Sequence, residues 1–448
     1  MLFAEREGFE PPEAFTSTVF KTAAIDHSAT SPPQKYIYFT LLFLKMIFFC
    51  NNNILIYLHV NYYGYIYFIM NIKKFVFRIF SLLITAIFLF SCEPKEPETS
   101  FTATPYTLPI PRFFPTNLNI PTDNPLTVEG IELGRHLFYD ERLCGYLGNN
   151  PDSMMSCATC HVQANNFDVG INNPRFPNGE TFGLSGTPTP HNTMPLVNLV
   201  FNREGYFWNG MIHESNSNAQ QRTLEDVVLM GIIAPHEMNS TPERAVYALT
   251  QNPKYPDLFK KAFGSEEINI LRIQQAIAQF IRTLVSGNSK FDKFLSGEEK
   301  LTDAEMRGYL LFCTEEGADC FHCHGGSGNP LFTTNLYYNN ALSVVFGDPR
   351  DRFTVTQNTY DIGAYRAPSL RNIMVSAPYM HDGRFKTIDE VLEFYNLGLQ
   401  YSLYVSPLMH KLEQGGACLT LSQIADLKVF LNTLTDNEFL TNPKFSKP

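Results

Sequence analysis

Beyond residue 100 the apolar positions fall at helical spacing, with no convincing alternating run that would predict a strand. Ile131, Leu133, Leu137 and Phe138 predict a helix over 128–140. The clearest amphipathic helix lies over 268–285, where Ile273, Ile277, Phe280, Ile281 and Leu284 share one face. Three capping boxes punctuate the second half. Thr302 with Glu305 opens a helix reaching Phe312, and Thr387 with Glu390 starts one carrying Val391, Leu392, Phe394 and Tyr395. Thr420 with Gln423 opens the last, with Ile424, Leu427, Phe430 and Leu431. Between these elements, 165–190 shows Gly or Pro every few residues and no period, which predicts a loop wrapped around something. The pattern is that of an all-α fold.

The N-terminal part reads differently. Residues 1–69 run from a polar stretch into apolar segments at 37–49 and 54–70, each short of about 20 clean apolar residues. This opening resembles the translation of a transfer-RNA gene fused upstream of a reading frame, so 1–69 is expected to be a non-native leader. A pair of membrane helices is the alternative. From Met70 the pattern is a signal peptide, 70–92: Lys73 and Lys74, an apolar core over 75–90, then Ser91-Cys92. Leu89-Phe90-Ser91-Cys92 resembles a bacterial lipobox, with Phe90 a loose match. A mature chain starting at a lipid-modified Cys92 would be tethered in the periplasm or cell envelope by 93–127, a polar tether and Pro-rich approach. Folded material is expected from near Pro105. An uncleaved N-terminal anchor helix would also place the body outside the cytoplasm.

With 448 residues the chain is long enough for two or three domains. A net charge of −10 with 17% charged residues disfavours a nucleic-acid partner. The candidate chemistry lies in the cysteines. Cys157-Ala158-Thr159-Cys160-His161 is echoed by Cys320-Phe321-His322-Cys323-His324. A Cys-x-x-Cys-His run reads as a c-type haem attachment site: two thiols add to the porphyrin vinyl groups, and the adjacent imidazole reaches the iron. Nine Cys and eleven His in this length give roughly 0.004 such matches by chance. Zinc held by the two Cys pairs would leave both trailing histidines unexplained. Cys50 and Cys92 belong to the leader, and Cys144, Cys313 and Cys418 are an odd remainder to which no pairing is assigned.

Further segments add to the two motifs. They are Leu133-Gly134-Arg135 with Leu137-Phe138-Tyr139-Asp140, Phe207-Trp208-Asn209-Gly210, and Pro235 with Glu237-Met238. Arg366-Ala367-Pro368-Ser369-Leu370-Arg371-Asn372 and Ala377-Pro378-Tyr379-Met380-His381-Asp382-Gly383 follow. In order and approximate spacing, residues 128–436 resemble the bacterial dihaem cytochrome c peroxidase and MauG family. The resemblance implies two cytochrome c-like domains, 128–288 (peroxidatic) and 289–448 (electron-transfer), each with one covalently attached c-type haem. His161 and His324 would be the proximal iron ligands. Glu237 stands at the family's distal acid, and Trp208 at its indole between the haems. Val227 stands where the family often has a distal Gln, a departure that lowers the expected turnover.

Tyr395 stands where the second haem's sixth ligand is Met in some members and Tyr in MauG-type ones; Met380 and Met409 are rivals. His381 would support a haem propionate, and His191 is a candidate distal ligand of the first haem. A calcium ion between the haems would be held at Asn192, Ser376 and Pro378. The implied activity is reduction of hydrogen peroxide to water with electrons from a small cytochrome c or copper protein. The alternatives are MauG-like oxidation of a protein or organic substrate, and a non-catalytic dihaem electron carrier. The resemblance also allows a homodimer.

Overall fold

The computed structural model describes residues 75, 76, 79 and 101–448, except 149, 217, 219, 220, 327, 348 and 349. The leader, lipobox and most of the signal peptide lie outside the described residues. The chain divides into two compact units, Met1–Lys95 and Glu96–Pro448, and both haem motifs lie in the second. Among the described residues no helix is long and apolar enough to cross a membrane.

The second unit is built from helices joined by long irregular segments. Those of five residues or more are α1 (Val128–Phe138), α2 (Leu224–Ile233), α3 (Pro242–Thr250), α4 (Tyr255–Phe263), α5 (Ile270–Arg282), α6 (Lys290–Ser296), α7 (Asp303–Phe312), α8 (Ile388–Leu397), α9 (Leu421–Asn432) and α10 (Asn437–Thr441). Two-residue strands β1 (Tyr337–Tyr338) and β2 (Tyr365–Arg366) pair antiparallel. All three predicted capping boxes form: the threonine side chain accepts from the N3 amide and the N3 side chain accepts back from the threonine amide at α7, α8 and α9.

Two apolar cores result. The first gathers Leu133, Leu137 and Phe138 of α1 with Ile273, Ile277 and Phe280 of α5, and α2, α3 and α4 pack around them. The second gathers Phe291, Phe312 and Phe332 with Ile388, Leu392, Leu427 and Phe430. Each is organised on one helix crossing that a glycine permits. A Cβ on Gly134 of α1 would overlap the Ala276 carbonyl of α5 and touch Phe280. A Cβ on Gly308 of α7 would overlap the Asp426 carbonyl of α9 and touch Phe430. The same device therefore recurs in both halves, although the two halves share little sequence beyond the haem motif.

The Pro-rich approach is part of the folded body. Leu108, Phe114 and Leu126 are buried with Val200, Phe201 and Leu331 in a third cluster, and Pro105 bridges Thr127. At the other end α10 returns to the first core, where Phe439 and Leu440 are buried. Two of the buried arginines are paired with carboxylates. Arg282 (1% exposed side chain) meets Glu225 at 2.6 Å, and Arg371 (0%) meets Asp292 at 2.6 Å. The burial of these cations is tolerable because every one of these contacts is also a hydrogen bond.

Candidate functional site

Cys157–Cys160 forms a single helical turn after Ser156, which puts both thiols and His161 on neighbouring faces of the first core. His161 Nδ1 donates to the Phe167 carbonyl at 2.8 Å, which leaves Nε2 as the lone pair available to a metal. The loop over 165–190 does wrap the motif, since Val162 and Asp168 bridge and Asn173 Nδ2 donates to the Thr159 carbonyl at 2.9 Å.

The second motif repeats this arrangement. Phe321–His324 is a helical turn, and His324 Nδ1 donates to the Pro368 carbonyl at 3.1 Å, again freeing Nε2. Pro368 belongs to the Arg366–Asn372 segment, which gives that segment a local reason for its residues. Burial pushes both imidazoles down to about 4, so each is neutral and in its ligating form near pH 7. Burial likewise pushes the Cys157 and Cys323 thiols up to about 12, and Cys160 and Cys320 also upward. These thiols are therefore held protonated, which disfavours free thiolate chemistry.

Glu237 sits in the turn after α2. Its amide donates to the Ala234 carbonyl at 3.0 Å and its carbonyl accepts from Leu184 at 2.9 Å. Gly231 makes room for the carboxylate: a Cβ there would lie 3.1 Å from Glu237 Oε2. The side chain is 34% exposed and otherwise enclosed by protein. That enclosure pushes its carboxyl up to about 7. The carboxylate also bears electrostatically on both Cys157 and Cys160, which locates it at the first motif. Val227 of α2 is half-buried against the first core.

A cavity of about 190 Å³ opens at the second motif, lined by Cys320, Cys323 and His324. Trp208, Tyr395 and His381 also line it, as do Met380 and Met409. Trp208 is buried, with its indole N–H donating to the Asn192 carbonyl at 2.8 Å. The Tyr395 hydroxyl accepts from Asn340 Nδ2 at 2.9 Å. Burial drives the Tyr395 phenol upward, with the Asn340 hydrogen bond opposing, so a phenolate there needs a cation to hold it. His381 stacks on Tyr365 with ring centroids 3.7 Å apart, and His191 meets both rings edge-on. His191 therefore stands against rings that line the second motif's cavity.

Asn192 joins these parts. Its amide donates to the His381 carbonyl at 2.7 Å, and its Nδ2 donates to the Pro378 carbonyl at 2.6 Å. Among the described residues three buried side-chain atoms have no hydrogen-bond partner, and two are here: Asn192 Oδ1 and Arg366 Nε. Ser376 is close by in the chain, and its hydroxyl donates to the Asn372 carbonyl and accepts from Asn166. Arg366, fully enclosed, also lines the cavity. Neither Asn340 nor the unpartnered Arg366 Nε has a local sequence signal, because both depend on contacts between distant segments.

The donor set fits haem. Each motif offers two thiols beside an imidazole whose Nδ1 is engaged, and the second adds an apolar cavity with the buried, unpartnered Nε of Arg366, which a propionate would satisfy.

The family described as di-haem cytochrome c peroxidase matches residues 128–300. The methylamine utilization protein MauG of Methylorubrum extorquens is 32% identical over 322 residues, covering 71% of this chain and 82% of that protein. The chain belongs to the dihaem cytochrome c peroxidase and MauG family. Membership implies an oxidoreductase with covalently bound c-type haems. The cytochrome c551 peroxidase of Nitrosomonas europaea is 33% identical over 60% of this chain and 73% of its own length. A crystal structure of a MauG-like protein associated with microbial copper homeostasis superimposes with a TM-score of 0.65 at 31% identity. It covers 77% of this chain and 99% of that one.

Proposed function

We propose that this chain is an exported dihaem peroxidase that reduces hydrogen peroxide to water, drawing electrons from a small redox protein such as a cytochrome c or copper protein. One haem would be attached at Cys157 and Cys160 with His161 as its proximal ligand. The other would be attached at Cys320 and Cys323 with His324, each haem in its own cytochrome c-like half, 128–288 and 289–448. When bound, the haems supply the redox chemistry.

The residues of the chain do the rest. Phe167 and Pro368 fix the tautomer of the two histidines through Nδ1. Glu237 takes a proton from peroxide and returns it to the departing oxygen, and the rise of its carboxyl to about 7 matches it to that exchange. This carboxyl beside the first motif is the observation that carries the reading. The buried Trp208, tied through Asn192 to the 377–383 segment, is the aromatic suited to relaying electrons. Asn192 Oδ1, unpartnered beside the Pro378 carbonyl, suits a calcium ion completed near Ser376.

A second reading is MauG-like oxidation of an organic or protein substrate. Its support is Tyr395, whose hydroxyl lines the same cavity as His324, together with the likeness to MauG. A hard anionic donor there favours the ferric state. Val227, which cannot hydrogen-bond to peroxide, would suit an electron carrier instead. The signal-like 70–92 segment and the attachment chemistry support a periplasmic or envelope location with a lipid anchor at Cys92.

Electron paramagnetic resonance of the purified haem-loaded protein tests these readings. A high-spin signal lost on adding peroxide, beside a low-spin signal that changes in Tyr395→Phe, is expected. Two low-spin signals indifferent to peroxide, in oxidised and half-reduced protein alike, would leave the electron carrier.

A further inference from the structure

At the rim of the second motif, outside the residues the peroxidase reading uses, Glu315, His322 and His410 present ligand atoms that all lie within 4.8 Å of one another. His322 is the variable residue inside the second attachment motif, and His410 comes from the loop before α9, so only the fold brings them together. Their rings meet edge-on with centroids 4.7 Å apart. His322 Nε2 lies 3.7 Å from Glu315 Oε1.

The observation that turns this cluster toward a metal is Asp319. Its side chain is 4% exposed and faces both imidazoles: Oδ1 is 2.6 Å from His322 Nδ1, and Oδ2 is 3.3 Å from His410 Nδ1. The hydrogen bond to Asp319 fixes the His322 tautomer that leaves its Nε2 as a lone pair, and the other oxygen of the same carboxylate stands behind His410 Nδ1. Asp319 holds this position in a left-handed backbone conformation (φ 58°), which a short polar side chain tolerates better than most. A surface ion pair alone needs neither two histidines on one buried carboxylate nor a second acidic group beside His322.

We infer that Glu315, His322 and His410 form a site for one divalent transition-metal ion of the zinc or copper(II) class, backed by Asp319. Two imidazoles and one carboxylate are the donors such borderline ions take, whereas calcium and magnesium prefer all-oxygen sets. Ligand bonds of about 2.0–2.1 Å in a tetrahedron put ligand atoms roughly 3.3 Å apart. The Glu315–His322 pair is already close to that, and the exposed Glu315 and His410 side chains can rotate to close the remainder. Three protein ligands leave a fourth position open to water or to a donor from a partner. The site neighbours the second haem motif, because Asp319 and His410 also line its cavity. It requires no peroxidase chemistry.

The test uses the full haem-loaded chain, stripped with a chelator, free of a histidine tag, and titrated with zinc(II) followed calorimetrically. Copper(II) is added in parallel and read by electron paramagnetic resonance. The expected result is one equivalent bound per chain, with nitrogen hyperfine splitting from two imidazoles in the copper signal. His410→Ala and Glu315→Ala should each weaken binding at least tenfold, and His410→Ala should remove one nitrogen from the splitting. Haem content, measured separately, should not change in either variant, since neither residue attaches haem. No stoichiometric binding at micromolar metal, or binding that His410→Ala leaves unaltered, would overturn the site.

Discussion

In the proposed reading Glu237 must be unprotonated to accept a proton from peroxide, yet enclosure by protein raises its carboxyl to about 7. A raised carboxylate pKa means the neutral form dominates below that value and the base form above it. Peroxide turnover is therefore expected to rise with pH through about 7 and to fall away in acid, in a stopped-flow or steady-state pH series. Glu237→Gln keeps the shape but not the proton, so turnover should drop by roughly 10²–10⁴-fold and the pH limb should vanish. A variant that retains the limb would assign it to another group. The identity of this residue was legible in the sequence only through the segment around it. What gives it room, Gly231 six residues earlier in α2, became visible only with the fold. Likewise Tyr395 stood out in the sequence, but its hydrogen-bond donor Asn340 lies 55 positions away and carries no local signal.

At the level of elements, what is decided within four residues was readable and what is decided by crossings was not. The capping boxes at Thr302, Thr387 and Thr420 and the apolar face of α5 all form as their spacing predicts. Thr302→Ala should cost about 1 kcal/mol in chemical denaturation, the usual value of an N-cap. Gly134 and Gly308, by contrast, look like ordinary helix glycines until their partner helices are in place. Because a Cβ at either would overlap a backbone carbonyl, which cannot rotate away, the helices must separate to admit one. Gly134→Val or Gly308→Val should destabilise by about 1–3 kcal/mol or more. Each should act on its own core, which amide exchange would resolve as faster exchange in α1 and α5 or in α7 and α9. The Glu225–Arg282 pair sets a further limit on α2 and α5. Burial raises the Glu225 carboxyl, but hydrogen bonds and charge from Arg282 more than offset that, and its pKa ends below the usual value. Its stabilisation is thus complete above the unfolded carboxylate pKa of about 4.3 and is lost as pH falls through the lower folded value. Glu225→Gln, which strands a guanidinium of 1% exposure, should cost about 3–5 kcal/mol at neutral pH and flatten that acid limb in a pH series of melting curves.

Across the whole second unit, the chain's end supports its beginning. Sequence reasoning placed everything after 289 with the second motif, yet α10 and the residues after it lie on the first core. Nothing in the composition of 437–448 announces that return; it follows from where α9 ends and which apolar surface remains open there. Phe439, 2% exposed, packs edge-on against Phe167 at 5.8 Å. Gln163 Nε2 donates to the Phe439 and Asn442 carbonyls at 3.2 and 2.9 Å, and the Tyr139 hydroxyl donates to the Phe445 carbonyl at 2.7 Å. Phe167 is the residue whose carbonyl orients His161, so the tail braces the first motif although it is farthest from it in sequence. Phe439→Ala removes that brace and leaves a cavity, at a cost of about 3–5 kcal/mol. The expected signature is polar: amide exchange rises over 162–168 and α1, while α7 and α9 keep their protection. In the haem-loaded protein the resonance signal belonging to His161 should broaden or shift while the one belonging to His324 stays fixed. Equal changes at both histidines would mean that the two cores unfold as one unit and that the tail serves stability alone.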